Sequence, residues 1–542
     1  MSKTTDASSF ALRSAEDRHK VLNALGGGAS RREVLGMLGA LGAAGAFGSG
    51  LLGGLGTAFA AETPKKGGRI RVAGFSSSTA DTLDPAKQAL STDYVRSTMF
   101  YNGLTSLDER MAPQLELAES IEHDGATVWT IKLRRGVQFH DGKTLTADDV
   151  VYSLNRHKDP AVGSKAKTLA DQMEEIKATG PLEVTIRLTG PNADLPVILG
   201  TYHFKIVKDG TTDFTTAIGT GPFTCKEFQP GVRSIATRNG NFWKGVGPWL
   251  DEVEYFGISD NGARVNALLS GDVDLIAAID PRSSRQVLGT DGFAIAETKW
   301  GNYTNLVMRM DQAPCNNPDF VLGMKYLFDR ELMKKSVFRG FAEVANDQPL
   351  ASSNRYYSPD IPQRPYDPEK AKFHLKKAGA LDSTLQVVAS AAAKSSVEMA
   401  VVLQQAAQKI GMKIDIKQVP ADGYWSNYWM KVPVGFGNVN PRPTADILFN
   451  LFFKSDATWN ESAWKDGRFD QLLAASRAET DEAKRTQMYH DMQLLIHENS
   501  GIGIPVFINN LDAHSSRLKG LRPMSSGGLM GYGFAEYVWL DT

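Results

Sequence analysis

At 542 residues the chain is too long for one ordinary domain, and two or three are expected. Apolar residues make up 42% and charged residues 22%, as in a globular protein, and the formal charge is −1 without a basic or acidic block. A nucleic-acid binder concentrates Lys and Arg on one face, so nucleic acid is not an expected partner.

The first segment reads as an address. Arg31 and Arg32 precede an uncharged run, 34–60, that ends in Ala58-Phe59-Ala60, with small residues where a signal peptidase cuts. The run is long enough to span a bilayer, but nine of its 27 residues are glycine, which lowers both helix propensity and hydrophobicity. Ser30-Arg31-Arg32 before so weakly apolar a core resembles a twin-arginine export signal. Residues 1–60 are therefore expected to be a cleaved signal, and the mature chain, starting at Ala61, to be free in the periplasm. Cys225 and Cys315 are expected to be two independent thiols.

Next comes "RIRVAGF" (69–75), which alternates apolar and polar residues as a strand does and runs into the polar loop "SSSTADTLDPA". "VWTIKL" (128–133) and "LEVTIRL" (182–188) alternate too. Between them Thr146 and Asp149 have capping-box spacing ahead of a helix. Asp367 and Pro368 open a helix that Gly379 closes. "LQVVAS", "SVEMAVVLQQAAQKIG" and "MKIDIKQV" then give strand, helix and strand, a parallel βαβ unit. The class is α/β with mixed sheets, and antiparallel hairpins fall in the first third.

No phosphate loop, HExxH, CxxC or G-x-S-x-G occurs, so no catalytic residue, metal site or cofactor is expected. In "FHDG" (139–142) His140 and Asp141 resemble half of a dyad, yet no nucleophile is signalled nearby. Asp141-Gly142 is a turn dipeptide, and His140 is read as scaffold. His490 and His497 are expected to face solvent. In "DGYWSNYWMKV" (422–432) Asp422 is read as the cap of a helix whose aromatics pack.

The segment Trp129 to Gly142, followed by Ala147-Asp148-Asp149-Val150, resembles the signature of the periplasmic solute-binding proteins of ABC importers, family 5 (the peptide/nickel/opine class). "GTGPF" (219–223), "NGNFWKGVGPWLDEVEY" (239–255), "LLSGDVDLI" (268–276), "MKYLFDRELMKKSVFRGFA" (324–342) and "YDPEKAKFHLKKAG" (366–379) follow in the family's order. The resemblance implies a two-lobed hinged periplasmic-binding-protein fold (type II, large three-domain cluster). Domain I would take 62–106, 219–305 and 506–542, domain II 107–218, and domain III 306–505. The lobe crossings would lie at 305–310 and 504–509.

The implied partners are a small solute and a membrane permease with its cytoplasmic ATPase; the implied state is a monomer. The solute is expected to be an oligopeptide or peptide-like molecule. A nickel complex, haem, an opine or a sugar-phosphate conjugate on the same fold is the alternative, and a periplasmic hydrolase is the reading from another class. For the pocket the resemblance points to 432–462. Phe436 would be an aromatic wall, and Asn438 and Asn440 stand where peptide-binding relatives place an acid. Arg442 either holds an anion through its fork or pairs with Asp446. Trp459 and Asn460 offer a stacking face beside an amide, unless Trp459 is core. Tyr303, just before a lobe crossing, and Ser76, Ser77 and Ser78, at the end of the first strand, complete the expected set.

Overall fold

The structure, a computed structural model, describes residues 63–541; the signal expected over 1–60 lies outside them. Ten strands follow one another across a single hydrogen-bonded path: Lys413–Gln418, Thr384–Ala389, Val434–Val439, Phe293–Met308, Val506–Ser515, Leu275–Ile276, Arg69–Gly74, Glu252–Gly257, Arg233–Arg238 and Phe223–Gln229. Two strands lie off this path and make the sheet twelve-stranded: Ala342–Val344 pairs with Val506–Ser515, and Ile502–Gly503 with Phe293–Met308. Both parallel and antiparallel pairs occur, which bears out the mixed α/β expectation.

The two long central strands make the molecule two-lobed. Phe293–Met308 pairs with Val506–Ser515 from Phe293 to Asn302, and from Tyr303 onward it pairs with Val434–Val439 instead. The register with Val506–Ser515 slips between Thr298 and Asn302, where Gly301 takes φ +77°, a left-handed conformation that glycine adopts without a Cβ penalty. On one side of this joint Val72, Tyr255, Phe100 and Leu275 share a core; on the other, Val387, Leu403, Phe436 and Phe320 do so.

A separate antiparallel sheet, ordered Ala118–Asp124, Val128–Leu133, Glu183–Leu188, Met173–Gly180, carries the expected hairpins. Its inward residues Trp129, Ile131, Val184 and Ile186 meet Val150 and Leu154 of helix Ala147–Arg156. That helix starts with the capping box read from the sequence. Asp367 likewise accepts from Lys370 N at the helix Pro368–Lys377, with Gly379 at φ +69° after it. The parallel strand–helix–strand unit over 384–418 is present. Cys225 and Cys315 are free.

Two local expectations need correction. The 422–432 helix is only Tyr424–Asn427, and its N-cap is Gly423 at φ +72° rather than Asp422. Tyr424 is nonetheless core, its hydroxyl donating to Phe436 O at 2.6 Å. His497 does not face solvent, because its helix Glu482–Asn499 is covered on that side by the segment 346–364. Its Nδ1–H donates to Asn346 O at 2.7 Å and Nε2 accepts from Arg364 at 3.0 Å; burial and the Arg364 charge push its pKa down to about 4.

Candidate functional site

The motifs of the first lobe build a wall rather than a reactive centre. His140 Nε2 faces Gly221 O at 3.1 Å, and its Nδ1 accepts from Gly219 N at 3.2 Å, so the imidazole pins the "GTGPF" loop. That loop passes so close to the end of helix Ser91–Phe100 that a Cβ on Gly219 would meet Phe100 O at 2.1 Å. Asn102, two residues past the helix, accepts through Oδ1 from Thr220 at 3.1 Å and from Trp243 Nε1 at 3.0 Å. Its amide donates to Glu116 Oε1 at 3.0 Å. His140 is scaffold, as read.

In front of this wall is a cavity of about 570 Å³. The first lobe lines it with Phe75 and Ser76 at a strand end, Tyr94 and Thr98 from helix Ser91–Phe100 with Tyr101 at its C-cap, Tyr202 and Lys205, and residues of the C-terminal segment 524–537. The far side is Trp300, from the register slip, and 440–443, which follow strand Val434–Val439.

Three tyrosines form the aromatic face. Tyr94 and Tyr202 stack with centroids 3.7 Å apart, and Tyr532 meets them at 5.4 and 5.7 Å. Burial raises the pKa of all three, so at neutral pH they are neutral hydrogen-bonding phenols. Tyr532 ends a short segment in which Leu529, Met530 and Tyr532 all have positive φ, a costly conformation for side chains of this size. Asp512, on a central strand, anchors that segment: its carboxylate accepts from Leu529 N at 2.5 Å and from Ala278 N at 2.9 Å. Thr98 donates to Tyr532 O at 2.5 Å.

Charge enters from both lobes. Glu116 accepts from Lys244 at 3.0 Å and from Gly103 N at 2.9 Å; burial raises its pKa, but Lys244 and Lys205 outweigh that and the net direction is down. Lys244 also donates to Glu536 at 3.0 Å. Lys205 is only 7% exposed, and burial lowers its pKa although Glu116 opposes this. From the second lobe, Arg442 donates to Asn440 O at 3.2 Å and its guanidinium lies 5.5 Å from the Phe452 ring centroid. Burial lowers its pKa, partly offset by Tyr303 and Tyr202.

Of the residues expected from the sequence, Ser76, Asn440 and Arg442 line this cavity. Asn440 is held by Asn302 Nδ2 at 2.9 Å. The others do not line it. Phe436 and Tyr303 are buried in cores, and Asn438 spends its amide on Tyr303 O and Thr304 Oγ1 across the strand pair. Ser77 donates to Gly231 O, and Ser78 accepts from Ala80 N. Asn460 donates to Trp464 O.

Asp446 pairs not with Arg442 but with Asn450, 2.9 Å away. Burial and the neighbouring Asp194 push its pKa up to about 6. Trp459, 40% exposed, packs on Trp429 and Phe452. Beside it Glu461, which the sequence did not flag, is a buried carboxylate whose donors among the described residues are Trp429 Nε1 (2.6 Å) and Asn305 Nδ2 (2.7 Å). Burial pushes its pKa up to about 7.

The tyrosines and Lys205 were also missed. They come from three separate segments, at 94, 202–205 and 532, and the only local hint was an aromatic between glycines, as at Gly531-Tyr532-Gly533. Among the described residues no cluster of three or more His, Cys, Asp or Glu is placed to hold a metal, and no helix is long and apolar enough to cross a membrane.

Residues 112–460 match the model for bacterial extracellular solute-binding proteins, family 5 Middle. The chain is 26% identical over 475 residues to haem-binding protein A of Haemophilus influenzae, covering 80% of this chain and 84% of that protein. It is 27% identical over 484 residues to the glutathione-binding protein GsiB of Escherichia coli K12, covering 82% and 91%. The solved structure of HbpA2 from Haemophilus parasuis superposes with TM-score 0.78 at 22% identity, over 88% of this chain and all of that one.

Proposed function

Because the chain belongs to the bacterial extracellular solute-binding proteins of family 5, we propose that it captures a small oligopeptide or peptide-like solute between its lobes and delivers it to an ABC importer permease. The observation that carries this is the cavity, walled by Tyr94, Tyr202 and Tyr532 on one lobe and by Trp300 and 440–443 on the other. A solute seated there touches both lobes at once, so it binds the closed arrangement better and draws the population toward it. Relatives named for haem and for glutathione keep both kinds of cargo as alternatives for this chain.

In this reading 62–106, 219–305 and 506–542 form domain I, 107–218 domain II and 306–505 domain III. The protein works outside the cytoplasm, after twin-arginine export and cleavage near Ala60, as a monomer that carries out no chemistry on its cargo. Ser76, Asn440 and Arg442 remain the proposed contacts from the sequence, now joined by the three tyrosines.

Ion pairs support a closed arrangement. Asp194, among the residues that follow the antiparallel sheet, meets Arg485 at 2.8 Å and Arg355 at 2.9 Å, both from the second lobe. A thermal-shift panel of di- and tripeptides, glutathione, haem and nickel chelates tests the function. A true solute at 100 times its Kd adds about 2.7 kcal/mol of stability, read as a saturable rise in Tm. A folded protein that responds to none of them and retains no solute from its host would overturn the proposal.

A further inference from the structure

The cations around the cavity are not treated alike. Lys244 is taken by both carboxylates within reach, Glu116 and Glu536. Lys205 lines the same cavity and is more than nine-tenths buried, yet among the described residues its ammonium has neither a hydrogen-bond partner nor an ion-pair contact. On the facing lobe, among the described residues, Arg442 is bonded only to the carbonyls of Asn440 and Pro441, and no carboxylate lies within ion-pair distance of it. Its neighbours are the phenols of Tyr202 and Tyr303 and the ring of Phe452. The lining itself carries Glu116 and Glu536 against Lys205 and Arg442, and Lys244 stands beside the two carboxylates, so the five charges sum to +1.

An ammonium that faces a cavity without an acceptor on the chain is left to solvent, and a solute that displaces that solvent without supplying an acceptor loses free energy. A guanidinium fork matches an acidic group with two oxygens, and an ammonium meets a second as a point charge. We infer that Lys205 and Arg442 are the two ends of an anion clamp across the cavity, selecting a small solute with acidic groups at both ends. This rests on the solute-binding reading and narrows it: neutral and basic peptides are rejected because they would leave the Lys205 ammonium without an acceptor and the Arg442 fork with only the carbonyls of its own loop. The tyrosine face between the clamp ends packs the solute's carbon skeleton, and its hydroxyls meet the polar atoms.

The test uses the mature protein purified from periplasm. Native mass spectrometry finds the retained solute, acid release identifies it, and its mass tells carboxylate from phosphate. That solute is then titrated by calorimetry into wild type, Lys205→Met and Arg442→Gln, with Tm measured for each. Lys205→Met keeps the length of the buried side chain, and Arg442→Gln lies on a partly exposed loop, so a folding failure in one leaves the other readable.

The expected result is a solute with two acidic groups, bound at least tenfold more weakly by either variant at nearly unchanged Tm. A retained solute that is neutral or basic would overturn the clamp while leaving solute binding intact, as would an acidic one bound equally by both variants. Retention of nothing, with no response in the thermal-shift panel, would overturn the solute-binding reading and the clamp with it.

Discussion

Among the places where the described residues bury positive charge, two are finished differently. Inside the second lobe Asp347 accepts from Arg330 at 2.8 Å and from Arg364 at 3.0 Å, and Lys325 donates to His497 O at 3.0 Å. His497 stays neutral and accepts from Arg364. Every cation there has an acceptor supplied by the chain, so the cluster is scaffold. At the cavity, among the described residues, the Lys205 ammonium has no acceptor, and Arg442 has carbonyls but no anion in reach such as Asp347 provides in the cluster. The difference separates charge that holds a lobe together from charge arranged for something that arrives from outside.

Breaking the finished cluster should cost the most. Asp347→Ala leaves two guanidinium groups and an ammonium buried without their anion, a loss of about 3–5 kcal/mol in urea denaturation. A loss under about 1 kcal/mol would mean the cluster is not the scaffold described. Asp194→Asn comes next. It weakens the joint to Arg485 and Arg355, so stability within each lobe should hold while the solute leaves at least tenfold faster in stopped-flow, about 1.4 kcal/mol. Unchanged release would place that joint outside the closing motion.

Glu461 sharpens the contrast from the acidic side, because it is buried with no cation within ion-pair distance among the described residues. Its folded pKa is raised to about 7, so the native state binds its proton more tightly than the unfolded chain does. The penalty for charging it is absent below the unfolded value and complete above about 7. Groups such as His497, with lowered pKa, act the other way in an overlapping range, so the variant difference is the clean readout. Glu461→Gln should become more stable relative to wild type by on the order of 2 kcal/mol between pH 5 and pH 8. A pH-independent difference would contradict that burial effect. The smallest effect belongs to Trp459→Ala. With its ring half on the surface and outside the cavity lining, it should lose about 1 kcal/mol of stability and leave solute affinity unchanged.

What the sequence disclosed follows from where each signal is local. Alternation marked Arg69–Gly74 and Val128–Leu133, and Thr146 with Asp149 marked the helix Ala147–Arg156, because caps and pleats are set by residues a few positions apart. "FHDG" could be judged a turn for the same reason. The cavity is the opposite case. Tyr94, Lys205, Trp300, Arg442 and Tyr532 meet only because two strands cross between lobes, and nothing near Lys205 in the chain tells that its ammonium lacks an acceptor. Proximity in sequence also misled. Phe436 and Asn438 sit just before Arg442, but strand alternation and pairing to Phe293–Met308 spend them on the core and on Thr304.

The central claim is that a solute bridges two lobes and holds them together. Small-angle X-ray scattering on solute-stripped and solute-loaded protein measures this most directly. The radius of gyration should fall on loading, with a midpoint equal to the calorimetric Kd. An unchanged radius at saturation, with calorimetry still showing the solute bound, would contradict the account.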